Sequence, residues 1–330
     1  MDDSCDAPGE DLPSPRLDSR DEHDAAPARG RAAAAASGDT TDAQKGASAG
    51  VMKFLGSIKG RSPRDPPMDT STGDEDFSFV YNMSHTRRGQ AIIINNKDFE
   101  KHTGMNTRRG TDLDANNLYR IFSKFGFETK VFDNLPCRKI LSVLQLAARE
   151  DHRDVDCFAC AILSHGEEGV IYGTDGCMEV TEITKPFRGD RCPGLVGKPK
   201  LFFLQACRGN EFDHGVDMPD ALPEVQDELD AGNKATLPAE ADFLLAYSTV
   251  PGYYSWRNPG RGSWYIQALC AVLEQEGTQL EIMQLLTRVN KLVAYDFHSN
   301  SDNPYMNRKK QIPCIMSMLT KDLFFSPKSQ

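Results

Sequence analysis

The chain has 330 residues, 38 of them basic and 48 acidic, for a formal charge of −10. That length suits one large domain or two small ones, and no apolar run approaches the ~18 residues of a membrane span. The acidic balance argues against general nucleic-acid binding. The opening MDDSCDAPGE lacks the basic and apolar regions of a signal peptide, and nine cysteines are too sparse for a disulfide scaffold. The expectation is an intracellular protein, cytoplasmic with access to the nucleus, whose thiols are free for packing or chemistry.

Residues 1–50 hold only Leu12 and Leu17 among the large aliphatics, no aromatic residue, and a charge of −6. Such a segment cannot bury enough surface to offset its ordering entropy, so disorder is expected there. Residues 51–76 extend it as a flexible lead-in. Nothing before residue 90 has the apolar periodicity of a helical recruitment domain, and order is expected to begin near Gln90. Residues 91–95, Ala-Ile-Ile-Ile-Asn, read as a strand buried on both faces. A helix over 112–125 follows, with Leu113, Leu118, Ile121 and Phe122 at helical spacing and Gly126 as its stop. Residues 129–132 read as a strand, and Pro136 opens a helix bearing Ile140, Leu141, Leu144 and Leu146. Further strands are expected over 157–164 and 200–205. This alternation is the signature of a doubly wound, mostly parallel α/β sheet.

Residues 211–242 break the pattern, with ten acids and one base, Lys234. Order resumes as a strand over 243–248, helices over 264–276 and 280–295, and a last strand over 312–319. One α/β domain interrupted by an acidic insert explains this better than two domains, because each half has too few strands to close a core.

Ligands and catalysts in open α/β sheets sit at the carboxyl ends of the strands. Ser164-His165-Gly166 ends one strand and Gln205-Ala-Cys207-Arg-Gly209 ends another. A cysteine and a histidine meeting there fit a thiol nucleophile with an acid/base partner, and the flanking glycines permit close backbone approach. Singly, each is an ordinary loop or packing residue. Cys157 and Cys160, a C-x-x-C within a strand, point to opposite faces and cannot grip one ion; packing is their expected role, and no metal or cofactor is expected. A third pattern is Asp-x-x-Asp before alanine, found as Asp21-Glu-His-Asp24, Asp217-Met-Pro-Asp220 and Asp227-Glu-Leu-Asp230. All three copies lie in the segments read as flexible, where proteases cut.

The pentapeptide around Cys207, with His165 42 residues upstream, resembles the signature of the caspases. Arg108-Arg-Gly-Thr-Asp112, Phe187-Arg-Gly-Asp-Arg-Cys192, Val250-Pro-Gly-Tyr-Tyr-Ser-Trp-Arg257 and Gln311-Ile-Pro-Cys314 match further family blocks. Over residues 80–327 the sequence is similar to the executioner group typified by caspases three and seven. The resemblance implies a three-layer α/β fold, a mostly parallel six-stranded sheet with helices on both faces. It implies one catalytic domain built from a large subunit (77–220) and a small one (231–330), separated by an excisable linker (221–230) and preceded by a prodomain (1–76).

The same resemblance implies site roles. Cys207 is the expected nucleophile and His165 the proton donor to the leaving amine, with the N–H groups of Gly166 and Cys207 as oxyanion hole. The carbonyl just before Arg108, on Asn106, is expected to orient the histidine. Arg108, Gln205 and Arg257 match the pocket for a substrate aspartate, Tyr254 and Trp256 an apolar subsite, Ser255 and Trp264 the groove, and Asn258 a contact to an acidic fourth residue. Aromatic packing is the plain alternative for Tyr254, Trp256 and Trp264. The implied substrates are proteins exposing Asp-x-x-Asp, and the implied process is apoptosis. The chain itself is then a zymogen cut at Asp220 and/or Asp230, with prodomain removal at Asp24. The implied partners are an upstream initiator caspase, inhibitor-of-apoptosis-type proteins, and a second copy, giving two large and two small subunits after processing. Arg109 departs from the small or amide residue usual after the first pocket arginine. Two competing classes are an inactive regulatory homologue, which would have lost a catalytic or pocket residue, and a phosphate-binding domain, which would need a G-x-G-x-x-G or G-K-[ST] loop. The tail at −6 and the insert at −9 leave +5 for the rest, so the acidity maps onto the expected cleavage segments.

Overall fold

The computed structural model describes residues 22–23, 78–215, 239–301 and 303–328. A two-residue strand, β1 (Glu22–His23), comes first. The central elements follow as β2 (Gln90–Asn95), α1 (Thr111–Lys124), β3 (Glu128–Asp133), α2 (Cys137–Ala148) and β4 (Phe158–Leu163). Then come a short hairpin set, β5 (Gly166–Glu167), β6 (Val170–Gly173) and β7 (Gly176–Glu179), the helix α3 (Val180–Thr184), and β8 (Lys200–Gln205). The remainder is β9 (Gly209–Glu211), β10 (Phe243–Tyr247), β11 (Gly252–Tyr253), β12 (Trp256–Asn258), β13 (Gly262–Ser263), α4 (Trp264–Glu276), α5 (Ile282–Asp296) and β14 (Cys314–Ser317).

The main sheet has six strands in the order β14-β10-β8-β4-β2-β3. Five are parallel, and only β14 runs antiparallel, against β10. Alternate strand residues face opposite layers, as the pleat dictates. Ala91, Ile93, Ala159, Ala161, Leu201 and Phe203 pack under α1, α4 and α5. Ile92, Ile94, Phe158, Ile162, Phe202 and Leu204 pack under α2 and α3. The four inner strands, β2, β4, β8 and β10, are buried on both faces, which is why their sequences are nearly continuous apolar runs. The expected doubly wound α/β sheet, with helices on both faces, is borne out. Cys157 and Cys160 fall in opposite layers, where burial raises the pKa of each thiol.

Several expectations need correction. Disorder across 1–50 fails at Glu22–His23, whose backbone pairs antiparallel with β12; composition cannot foresee a segment that borrows its order from a preformed edge. Order begins before Gln90: Tyr81 N–H donates to the Asp322 carbonyl at 3.0 Å, and Tyr81 and Met83 are buried. Leu113 and Leu146 face solvent; the buried stripes are Ala115, Leu118, Ile121 and Phe122 on α1, and Ile140, Leu144 and Ala147 on α2. The helix expected from residue 280 begins at Ile282, because the Glu281 carboxylate caps it by accepting Met283 N–H at 2.6 Å. The last strand is shorter than 312–319, although Met318 N–H still donates to the Phe243 carbonyl at 2.8 Å. The ends of the acidic insert are tied down: Glu211 belongs to β9, and Asp213 pairs with Lys310.

Candidate active site

β4 and β8 are adjacent parallel strands, with Leu163 opposite Gln205. Ser164 N–H donates to the Gln205 carbonyl at 3.1 Å, so the two chains leave the sheet together. Two residues past each strand stand His165 and Cys207, both buried. His165 Nε2 lies 2.7 Å from the Asn106 carbonyl oxygen. A carbonyl only accepts, so Nε2 carries the proton and Nδ1 is the basic nitrogen of the neutral ring. The Phe99 ring packs on the imidazole at 4.8 Å, and Tyr172 N–H holds the His165 carbonyl at 2.9 Å.

The Cys207 sulfur receives the Ser255 N–H at 3.1 Å. The preceding residue is clamped by Ser248, whose hydroxyl accepts from Ala206 N–H at 3.2 Å and donates to Ala206 O at 3.0 Å. Gly166 begins β5 against this loop. A Cβ there would stand 2.9 Å from Ala206 Cβ, from the Cys207 carbonyl and from the Val170 carbonyl. Only glycine lets the histidine and cysteine loops approach this closely.

Arg108, Gln205 and Arg257 are all fully buried. Arg108 Nη1 donates to Asn96 O at 3.0 Å and Thr111 Oγ1 at 2.8 Å; Arg257 Nε donates to Arg109 O at 2.7 Å. Gln205 Nε2 donates to Ser255 Oγ at 2.8 Å. Behind them lies Asp114, also fully buried, which accepts Ser263 N–H at 2.9 Å and Ser263 Oγ–H at 2.6 Å. Burial pushes its pKa up to about 7, against the pull of the Ser263 hydrogen bonds and of Arg108 and Arg257. The facing residue is Gly262, at φ +90°, where a Cβ would collide with the Asp114 carboxylate.

Beside this pocket runs an aromatic wall. Phe212 packs on Tyr254 at 4.4 Å, on Trp256 at 5.7 Å and edge-on to Tyr305 at 5.3 Å. Trp256 stacks on Trp264 at 5.7 Å, and Trp264 on Phe297 at 5.6 Å. Trp256 N–H donates to Gln311 Oε1 at 2.7 Å, and Gln311 in turn donates to the Ser248 carbonyl at 2.6 Å. Ser255, just before β12, and Asn258, its last residue, are both buried.

A caspase-domain family model matches residues 88–324. The chain belongs to the caspase family. It is 52% identical over 289 residues to caspase-7 of Gallus gallus, covering 87% of this chain and 94% of that protein. It is 48% identical over 245 residues to caspase-3 of Bos taurus, covering 74% and 87%. The crystal structure of caspase-1 from Spodoptera frugiperda superposes with a TM-score of 0.70 at 42% identity, covering 81% of this chain and 99% of that one. This caspase is therefore an executioner-type cysteine endopeptidase, specific for aspartate and acting in apoptosis. The inactive-homologue alternative finds no support.

The fold brings together the catalytic, pocket and groove residues expected from the sequence of this caspase; Trp264 stands behind Trp256. Asp24, Asp220 and Asp230 lie outside the described residues. Sequence reasoning missed Asp114, Phe212, Phe99 and Tyr305. Only Phe212 carried a signal, as an aromatic at the start of an otherwise acidic insert. Among the described residues no helix is long and apolar enough to cross a membrane, and no group of three or more His, Cys, Asp or Glu could hold a metal.

Proposed function

We propose that Cys207 is the nucleophile and His165 its acid/base partner in hydrolysis after aspartate, and that Arg108, Gln205 and Arg257 hold the substrate carboxylate. The observation that carries this reading is the convergence, at one sheet edge, of a buried thiol and a carbonyl-oriented imidazole beside two fully buried guanidiniums. The Cys207 sulfur attacks the aspartyl carbonyl carbon, and the Ser255 N–H aimed at the sulfur stabilises charge there. The developing oxyanion is bound by the N–H groups of Gly166 and Cys207. Protonated His165 gives its Nδ1 proton to the departing amine, leaving a thioester that water then hydrolyses. Asn106 keeps the imidazole in the tautomer this requires.

The guanidinium forks suit a carboxylate, and an uncharged amide in its place would forgo the charge-assisted hydrogen bonds to two buried cations. Tyr254, Trp256 and Phe212 form the second subsite, with Ser255 lining the groove and Asn258 receiving the fourth residue. That pattern favours Asp-x-x-Asp proteins, including this chain at Asp24, Asp220 and Asp230, and so supports a zymogen that an initiator caspase or the enzyme itself processes into large (77–220) and small (231–330) subunits. The exposed edge of β14 supports pairing with a second copy. Inhibitor-of-apoptosis-type proteins are further partners, and the cytoplasm and nucleus the expected compartments.

The test is turnover of a fluorogenic Asp-Glu-Val-Asp peptide. Cys207→Ala should abolish it, and the Asp-Glu-Val-Asn analogue should be cut roughly 10⁴-fold less efficiently. Activity surviving the substitution, or comparable turnover of the asparagine peptide, would refute the assignment. Mass spectrometry of active enzyme that found residues 211–242 intact would overturn the activation scheme.

A further inference from the structure

Arg108 stands at the end of a line of hydrogen bonds whose direction is fixed at every step. Its Nη1 donates to the Asn96 carbonyl at 3.0 Å and to Thr111 Oγ1 at 2.8 Å. The Thr111 hydroxyl has one proton, which it gives to Asn95 Oδ1 at 2.8 Å. Asn95 Nδ2 places its two hydrogens on Asp112 Oδ1 at 3.0 Å and Asp133 Oδ1 at 2.9 Å. Lys97 Nζ completes the line on Asp112 Oδ2 at 2.6 Å. Arg108, Thr111 and Asn95 are buried, while the two carboxylates lie in the exposed rim. The fold sets these groups together. Asn95 and Asp133 are the opposed last residues of β2 and β3, and Thr111 and Asp112 open α1.

Each partner dictates the next. Against partial burial, the Lys97 and Asn95 hydrogen bonds hold Asp112 below the usual carboxylate range. Two carboxylates only accept, so the Asn95 amide cannot turn over without setting its own oxygen against both. With Nδ2 committed to them, Oδ1 faces Thr111 and takes its proton. The Thr111 oxygen is left as an acceptor toward Arg108; turned the other way, the hydroxyl would aim its proton at a cation. Nη1 then has both hydrogens placed, so a carboxylate that binds Arg108 through two hydrogen bonds takes the Nε–Nη2 edge.

We propose that Thr111 and Asn95 are positioning residues for the aspartate pocket, fixing the rotation of Arg108 so that one edge of its guanidinium meets the substrate carboxylate. This rests on the assignment of Arg108 given above. Both residues act through Arg108 rather than on the substrate. The substrate carboxylate carries the same charge in the ground state and in the transition state. A misaligned Arg108 therefore weakens both equally, and the loss falls on KM while kcat stays.

The experiment is steady-state kinetics of the active enzyme on Asp-Glu-Val-Asp and Asp-Glu-Val-Asn peptides, with circular dichroism of each variant. Thr111→Val keeps the shape and removes the hydroxyl. It should raise KM for the aspartate peptide roughly 10- to 100-fold, leave kcat within about threefold, and lower the preference for aspartate over asparagine by a similar factor. Thr111→Ser should restore both. Asn95→Ala frees the hydroxyl to turn and should raise KM roughly 3- to 10-fold. The double variant should match Thr111→Val alone, because Asn95 acts through that hydroxyl. A merely structural role would lower the folded fraction, which cuts kcat per mole of chain and leaves KM where it was. An unmoved KM in Thr111→Val, or a double-variant KM equal to the product of the two single effects, overturns the proposal. If Thr111→Val does not fold, Asn95→Ala decides: a rise of about threefold or more in KM upholds the proposal, and an unmoved value overturns it. The parental enzyme separates the two levels. If it does not prefer aspartate to asparagine, the pocket assignment fails; if it does and the variants leave KM unmoved, only the positioning inference fails.

Discussion

Asp114 should make the affinity for an aspartate-terminated ligand depend on pH. The carboxyl is fully buried, and burial holds its pKa at about 7 with Arg108 and Arg257 nearby. It is then about a tenth ionised at pH 6 and about nine-tenths at pH 8. A ligand carboxylate entering the same pair of arginines disfavours a second negative charge and raises the Asp114 pKa further. If that rise is about one unit, worth ~1.4 kcal/mol, linkage makes the dissociation constant nearly flat below pH 6. By pH 8 the constant is roughly fivefold weaker. Asp114→Asn keeps the shape and an acceptor for Ser263 but removes the charge, so its affinity should be flat across pH 6–8. The assay is calorimetric titration of an Asp-Glu-Val-Asp peptide into the Cys207→Ala chain, with and without the Asp114 change. A parental profile flat from pH 6 to 8, or an equal slope in the asparagine variant, refutes the reasoning.

Three other outcomes are expected. Gly166→Ala, which forces a methyl against Ala206, the Cys207 carbonyl and the Val170 carbonyl, should lower kcat by at least about 100-fold by displacing an oxyanion donor; a kcat within threefold of the parent, at unchanged circular dichroism, would contradict it. Phe187 is fully buried, stacked on Phe158 at 4.1 Å and edge-on to Phe202 at 5.7 Å. Phe187→Ala should cost about 3–5 kcal/mol in urea unfolding of the single-chain Cys207→Ala form, and a loss below 1 kcal/mol would refute that packing. Lys200 is buried, donating to Leu195 O at 3.0 Å and Lys198 O at 2.9 Å, and burial lowers its pKa to about 8. The folded state therefore releases this proton before the unfolded state does, so the penalty is present below pH 8 and relieved as pH rises toward 10.5. Stability should rise over that window by up to about 3 kcal/mol, and Lys200→Met should lack the rise in the same urea titration.

The main sheet was legible because a strand buried on both faces writes an uninterrupted β-branched or aromatic run, as in Ala91–Asn95 and Lys200–Gln205. The hairpins β5–β7 and the small strands β9 and β11–β13 were not. At two to four residues they show no period, and their order comes from contact with the sheet edge. The catalytic pair was legible from strand ends, and the subsites through family resemblance. Asp114 was hidden because an acid in the first turn of a helix ordinarily faces solvent and serves the helix dipole; here Gly262 and Ser263 close over it. Glu22–His23 was hidden for a deeper reason, since no local propensity favours a strand there and only the complementary groove makes one.

The pairing of β8 with β10 has a consequence for the protein's thermodynamics. These two neighbours lie on opposite sides of the stretch 216–238, and their parallel register runs from Phe243 against Lys200 to Tyr247 against Leu204. A break anywhere in that stretch leaves both halves of the seam in place, with Phe212 on one fragment and Tyr254, Trp256 and Tyr305 on the other still building one wall. What was an intramolecular contact becomes an interface between two chains. Unfolding of the nicked molecule is then also a dissociation, and its recovery becomes a second-order process that slows on dilution. A single peptide-bond cleavage thus converts a protein that can refold alone into one that must find its other half.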